Sequence, residues 1–217
     1  LDGSSSQNLS EAETFWKLRV NNSSGVSLGA NTTINGVLTL GNGNLTTAGN
    51  TLLLKSSTAS GSDAGHIVGQ TSLETATNSD EYQIDVGNGT TWHPIKIQLV
   101  NSPGQTITYT ALYNADGPNG IDWNTYPAGQ AIDASTGLAH VNNTYYYDIT
   151  CNPVQLPTYI SLPLTGLNPS LPPAEVCLAH FNATSNKWEK IPAENVPSSM
   201  TDFVKGIATS FSPFGQG

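Results

Sequence analysis

Apolar residues in the first third of the chain come in short clusters separated by turn-forming residues. Leu18-Arg19-Val20, Val26-Ser27-Leu28, Val37-Leu38-Thr39-Leu40, Thr51-Leu52-Leu53-Leu54 and His66-Ile67-Val68 are each only a few residues long. The first three contain an apolar-polar-apolar triplet, the period of a β-strand. Between the clusters stand Asn21-Asn22-Ser23-Ser24-Gly25, Gly41-Asn42-Gly43-Asn44 and Ala48-Gly49-Asn50, residue types that break regular structure. Strands this brief bury little as an ordinary hairpin sheet. Stacked as coils of a parallel β-helix, they share one continuous core. Leu18 and Val20 recur as Leu38 and Leu40, 20 residues on, a length that suits one three-sided coil. The pattern predicts two or three coils before residue 75, with Asn and Thr covering the outer faces. A short stack has open ends that self-pair unless capped, so a neighbour is expected at each end.

After the polar, Gly-rich stretch 57–78 the pattern changes to longer alternating runs. Strand candidates are 82–86, 95–100, 106–113, 145–150, 175–181, 187–191 and 204–211, rich in β-branched and aromatic residues. Seven or eight strands of this kind in one domain read as an antiparallel sandwich. Asn182-Ala183-Thr184-Ser185-Asn186 reads as a hairpin loop, because its short polar side chains bond their own backbone. The expected fold is all-β: residues 1–75 as β-helix-like coils, residues 76–217 as a β-sandwich. The segment from Asn114 to Thr144 is the least patterned, and long loops of this kind often carry function.

Composition narrows the function. Net charge is −9 with seven cationic residues, and Arg19 is the only arginine. Phosphate backbones and anionic membranes both need clustered Lys and Arg, so nucleic acid is not an expected partner. No apolar run is long enough to span a bilayer, so membrane insertion is not expected. Leu1-Asp2-Gly3-Ser4 lacks the basic start and apolar stretch of a signal peptide, so the N-terminus reads as a processed or cut end. The two cysteines, Cys151 and Cys177, form no metal-binding spacing. In a chain of secreted character they are expected to pair as a disulfide, two buried free thiols being the other reading.

Several runs also resemble a known family. Thr14-Phe15-Trp16-Lys17-Leu18-Arg19-Val20-Asn21-Asn22-Ser23-Ser24-Gly25-Val26-Ser27-Leu28 and Ile34-Asn35-Gly36-Val37-Leu38-Thr39-Leu40 are similar to repeat units of large Bacteroidetes surface proteins exported by type IX secretion. Gly87-Asn88-Gly89-Thr90-Thr91-Trp92-His93-Pro94, the Tyr-rich strand 145–150 and the closing Ser210-to-Phe214 segment follow in the same order. The resemblance implies a secreted or cell-surface location and an adhesin-like or architectural role. It supplies no catalytic residues. Its implied partners are neighbouring repeats or further copies of the parent protein, with surface glycans as a further class.

Catalysis finds little support in the residues. A lyase needs a tuned base and a cation, and Arg19 stands alone in a strand triplet. Glycoside hydrolysis needs two carboxylates, for which Asp116 and Asp122 are the best pair, although both suit Asx-type turns. The four histidines, His66, His93, His140 and His180, are scattered, and no Gly-x-Ser-x-Gly elbow accompanies them. No cofactor is expected. Calcium is the one cation that the oxygen-rich segments Asn78-Ser79-Asp80-Glu81 and Asn114-Ala115-Asp116 could attract, without EF-hand spacing. Asp122, Trp123, Asn124 and Tyr126 combine stacking faces with hydrogen-bonding groups, as sugar sites do. Trp123 reads equally as a plug for the end of the sandwich. The sequence therefore points to a non-enzymatic structural or adhesive module, with a carbohydrate-binding module or an accessory part of a carbohydrate-active enzyme as the alternative.

Overall fold

The computed structural model describes residues 1–55, 58–115, 131–139, 141–142, 144–165, 167, 172–199, 201–211 and 213–217. It is all-β and begins with a β-solenoid-like region of about four turns. Strands β1 (Gln7–Leu9) and β2 (Glu13–Asn21) make the first turn, and β3 (Val26–Leu28) and β4 (Thr32–Asn42) the second. The third holds β5 (Leu45–Thr46), β6 (Leu52–Lys55) and β7 (Thr58–Ser60), and the fourth β8 (Ile67–Val68) and β9 (Thr71–Thr75). All of these strands stack in parallel on their counterparts one turn away. On the short face Gln7 lies over Val26, Val26 over Leu45, and Leu45 over Ile67; the first two steps are equal and the third is slightly longer.

The long face is bent. β6 and β7 stack on separate halves of β4, over Thr32–Ile34 and Val37–Thr39, so each turn has three sides. The bend falls at Gly36, where a Cβ would stand 2.3 Å from the Trp16 carbonyl oxygen and 3.3 Å from its indole ring. Only a residue without a side chain lets the two coils approach there. The expected recurrence holds: Leu18 pairs with Leu38 and Val20 with Leu40, all four buried. The clusters read from the sequence are the inward-facing strands, whereas β1 and β5 carry too few apolar residues to stand out.

Parallel stacking ends at β9. Beyond it come β10 (Tyr82–Ile84), β11 (Val86–Gly87), β12 (Ile95–Leu99) and β13 (Ile107–Asn114). β14 (Ala131–Ile132), β15 (Tyr146–Asn152), β16 (Thr158–Pro163), β17 (Leu178–Asn182), β18 (Lys187–Ile191), β19 (Phe203–Ala208) and β20 (Pro213–Gln216) follow. β13 lies antiparallel on β9, so the long solenoid face continues into an 11-stranded sheet of order β14-β18-β17-β20-β15-β13-β9-β6-β4-β2, with β7 beside β4. β10, β12, β16 and β19 form a separate four-stranded antiparallel sheet. β11 stacks in parallel on β8, so the short solenoid face also extends past residue 75, to Gly87.

One row of side chains shows how the core crosses from coil to antiparallel sheet. Phe15, Ile34, Leu54, Leu73, Tyr109 and Cys151 are successive register partners across six strands. The middle four are fully buried, and the Tyr109 hydroxyl meets Thr158 Oγ1 on β16 at 2.7 Å, tying in the four-stranded sheet. The same hydrophobic cluster therefore holds solenoid, junction and both antiparallel sheets.

The hairpin loop at 182–186 is as expected: Asn182 Oδ1 accepts from the Thr184 and Ser185 amides, and β17 and β18 pair across it. The expected disulfide is not formed. Cys151, half-buried on β15, donates to the Val154 carbonyl at 3.1 Å, while buried Cys177 faces the Gly217 carbonyl at 3.4 Å. The two thiols sit against different apolar clusters, which is why they do not meet. Burial pushes both thiols above the usual range, so both rest as unreactive thiols.

Candidate functional site

The two ends of the coil stack differ, and the chemistry of the molecule collects there. The residues just before β3, β5, β8 and β11 form a column that runs along the short face to the far end of the stack. Gly25, Asn44, His66 and Asp85 each offer the carbonyl that receives the amide of Gln7, Val26, Leu45 and Ile67 respectively. His66 and Asp85 are fully buried. His66 Nδ1 faces the Ser62 carbonyl at 3.1 Å and Nε2 the Asn88 carbonyl. Asp85 lies within electrostatic reach of this ring.

Asp85 Oδ1 accepts from Gln83 Nε2 at 2.8 Å and from Trp92 Nε1 at 2.9 Å, while Oδ2 is buried without a partner. Burial raises the carboxyl above the usual range, against the lowering effect of those two hydrogen bonds, of the Gly61 backbone and of the nearby His66 ring.

The run Gly87–Trp92 closes over this column. Asn88 Oδ1 collects the Thr90 and Thr91 amides in a tight turn, Trp92 bridges back to Gly87, and Asn44 Nδ2 donates to the Gly89 carbonyl. Gly87 is required: a Cβ there would lie 2.2 Å from the Thr91 carbonyl oxygen and 2.8 Å from the His66 ring. The Trp92 amide is fixed by Asp63 Oδ1 at 2.9 Å. His93 follows, 4% exposed, with its ring stacked on Tyr113 at 4.7 Å and tilted against Tyr145 at 4.6 Å. Its Nδ1 has no partner, and burial lowers its pKa from 6.5 to about 4, outweighing the attraction of Asp63. Tyr147 adds a 3.4 Å bond to the His93 carbonyl, and burial lifts the Tyr113 phenol to about 12. These groups are neutral packing partners at neutral pH, not an acid–base pair.

The near end is open. Among the described residues β1 pairs only with β3, and β2 only with β4 apart from the first two residues. Leu1 bonds to β2 through its N-terminal amine to the Arg19 carbonyl at 2.7 Å and through its carbonyl to the Asn21 amide at 2.8 Å. From Glu13 to Leu18 the outer edge of β2 has no main-chain partner among the described residues. Trp16 on this edge is 70% exposed, and Leu1 and Val37 are exposed nearby. Large apolar side chains grouped on an unpaired edge mark an interaction surface.

The residues singled out for sugar binding, Asp122, Trp123, Asn124 and Tyr126, and the carboxylate pair Asp116 and Asp122, lie outside the described residues, as does His140. β13 ends at Asn114, the residue after Tyr113 of the His93 stack. A cleft of about 150 Å³ beside Glu175, Cys177 and Lys190 is about half the ~300 Å³ at which small-molecule pockets begin. Of the residues named as calcium candidates, Asp80 accepts from Ser79 and Tyr82, Glu81 pairs with Lys96 and Lys205 at 3.3 and 3.4 Å, and Asp116 lies outside the described residues. Among the described residues no three His, Cys, Asp or Glu side chains form a metal-binding group. His66 appeared in the sequence as one of four scattered histidines; what brings it beside Asp85 is that each stands one residue ahead of a short-face strand. No known family model, no curated protein and no solved structure matches the chain.

Proposed function

We propose that this chain is a non-enzymatic structural or adhesive module of an extracellular bacterial surface protein, similar in plan to the Bacteroidetes type IX-exported proteins it resembles. The coils serve as a stiff spacer, and residues 76–217 form a β-sandwich that ends the stack. The observation that carries this reading is the continuous strand pairing from β2 through β4, β6 and β9 into β13 and β15. A spacer joined to its terminal domain by a shared sheet cannot hinge, unlike one joined by a linker. Its partners are neighbouring repeats or copies of the parent protein.

Pulling the chain between its ends in a force spectrometer tests this. The expected trace is one cooperative rupture of coils and antiparallel sheets together; two separate ruptures, with the coils yielding alone at low force, would defeat the spacer role. The rival reading, a carbohydrate-binding module acting through Asp122, Trp123, Asn124 and Tyr126, draws on the aromatic cluster at the root of that segment. A glycan array separates the two: sugar binding by the wild type that disappears in Trp123→Ala favours the rival, and an empty array favours the spacer.

A further inference from the structure

We infer that the open edge of β2 is the seat of one more coil of the same solenoid, supplied by polypeptide leading into Leu1 and running parallel to β2. This rests on the spacer reading and adds the surface, the register and the direction of the partner.

Leu1 and Asp2 set all three. Asp2 is a parallel partner of Asn21, and the step between them equals the one that separates Gln7 from Val26 and Val26 from Leu45. Leu1 takes the Arg19 carbonyl and gives its own carbonyl to the Asn21 amide, so it sits opposite Val20. Val20 in turn sits opposite Leu40. Leu1, Val20 and Leu40 thus form one column, and Leu1 already occupies the place of the next coil. In a strand, alternate residues present both main-chain groups to the same side. The Arg19 carbonyl and Asn21 amide point outward, so the main-chain groups of Lys17, on the same side of the irregularity between Phe15 and Lys17, do as well. A strand arriving at Leu1 therefore lies where its preceding residues would bond Lys17 and Arg19.

The side chains at this end suit such a neighbour. Leu9 and Phe15 are only partly buried although both face the core, whereas their partners Leu28 and Ile34 one coil further in are buried. Trp16 lies over Gly36 on one side and is open on the other. The opposite end of the stack is already closed by β13 on the long face and by the Gly87–Trp92 turn on the short one. Among the described residues, the stack is left open for growth at β1 and β2.

The test compares the 217-residue chain with two extended forms, one with a second copy of residues 1–19 ahead of Leu1, the other with a copy of residues 20–39 there. In each, Leu1 continues the added coil in the place of Val20 or Leu40. Hydrogen exchange is read at Lys17 and Arg19, with Trp16 fluorescence as a second readout. The expected result is exchange slowed about tenfold or more at both amides and a blue shift of Trp16 in at least one extended form, with scrambled extensions of equal length having no effect. Unchanged exchange in both extended forms overturns the inference. So does loss of protection in the buried strands, since a coil that fits does not unseat the stack below it. Protection of Lys17 and Arg19 that grows with concentration in the unextended chain itself also overturns it, by assigning the edge to a second copy. None of these outcomes depends on how the coils and sheets rupture under force, so the spacer reading stands or falls separately.

Discussion

Acid should weaken this protein through His93, and the size of the effect follows from its surroundings. The ring is packed between Tyr113 and Tyr145, 4% exposed, with Nδ1 unpartnered. Its pKa falls from 6.5 to about 4 in the fold because burial disfavours the imidazolium. The unfolded chain takes up the proton first as pH falls, so His93 contributes stability that is fully present above about pH 7 and is lost as pH falls from 6.5 through 4. With each unit worth about 1.4 kcal/mol, the loss by pH 5 is about 2 kcal/mol and by pH 4 about 3 kcal/mol.

His180 is shifted the same way by burial and acid-linked carboxylates add their own slopes, so the wild type alone cannot isolate this share. His93→Phe does. Phenylalanine keeps the ring stack, carries no proton and leaves every other group in place. Urea unfolding of both proteins at pH 7.5, 6 and 5 gives the comparison. The gap between them is expected to move by about 2 kcal/mol in favour of His93→Phe between pH 7.5 and 5. Curves that stay parallel in pH would mean that water reaches the ring and that the stack does not desolvate it.

The remaining predictions concern packing and charge. Gly36→Ala places a methyl group 2.3 Å from the Trp16 carbonyl oxygen; it should cost about 2 kcal/mol or more in urea unfolding, with a change in Trp16 fluorescence. Asp85→Asn should stabilise the protein at neutral pH: the folded pKa is raised, so the carboxyl's contribution is lost as pH rises through it, and the advantage of Asn should shrink on acidification. Asp85→Ala, which strands Gln83 Nε2 and Trp92 Nε1, should instead destabilise by about 1–3 kcal/mol. Denatured protein should titrate two thiols whether or not reductant was added; titration only after reduction would show that Cys151 and Cys177 are paired after all.

The coils were legible because their inward positions repeat. Leu18, Val20, Leu38 and Leu40 carry the period without help from any distant residue, and the structure stacks them as the spacing required. The longer alternating runs were legible for the same reason: β13 buries every second residue from Ile107 to Tyr113. β16 was not. Thr158, Ile160, Ser161, Leu162 and Pro163 are all buried, since this strand lies inside the four-stranded sheet, and continuous burial erases alternation. Pro153, Pro157 and Pro163 around it also read as breakers. The polar column was hidden differently. Asn44, His66 and Asp85 share a position but not a residue type. The step from Asn44 to His66 is also longer than the one from His66 to Asp85, because the third coil carries extra residues around the Ser62–Gly65 turn. A repeat read from residue identity does not register a column defined by main-chain carbonyls.

The change from coil to antiparallel sheet has its own logic in the chain. To stay parallel, the strand after β9 would have to return to the long face one coil-length after Thr71, as Thr71 itself returns over Leu52. The short face does make that return, with Val86 over Ile67 at the step that also separates Gln7 from Val26. The long face does not. After Gly87 the Asn88 turn sends the chain back on itself, and Trp92 rather than a new coil takes the free side of β11. The next strand, β12, pairs with β10, and only β13 comes back to β9, in the opposite direction. The local event that ends the solenoid is therefore a glycine turn held by one asparagine side chain. His66 and Asp85 are buried because that turn folds over them, so the polar junction is a consequence of stopping the repeat.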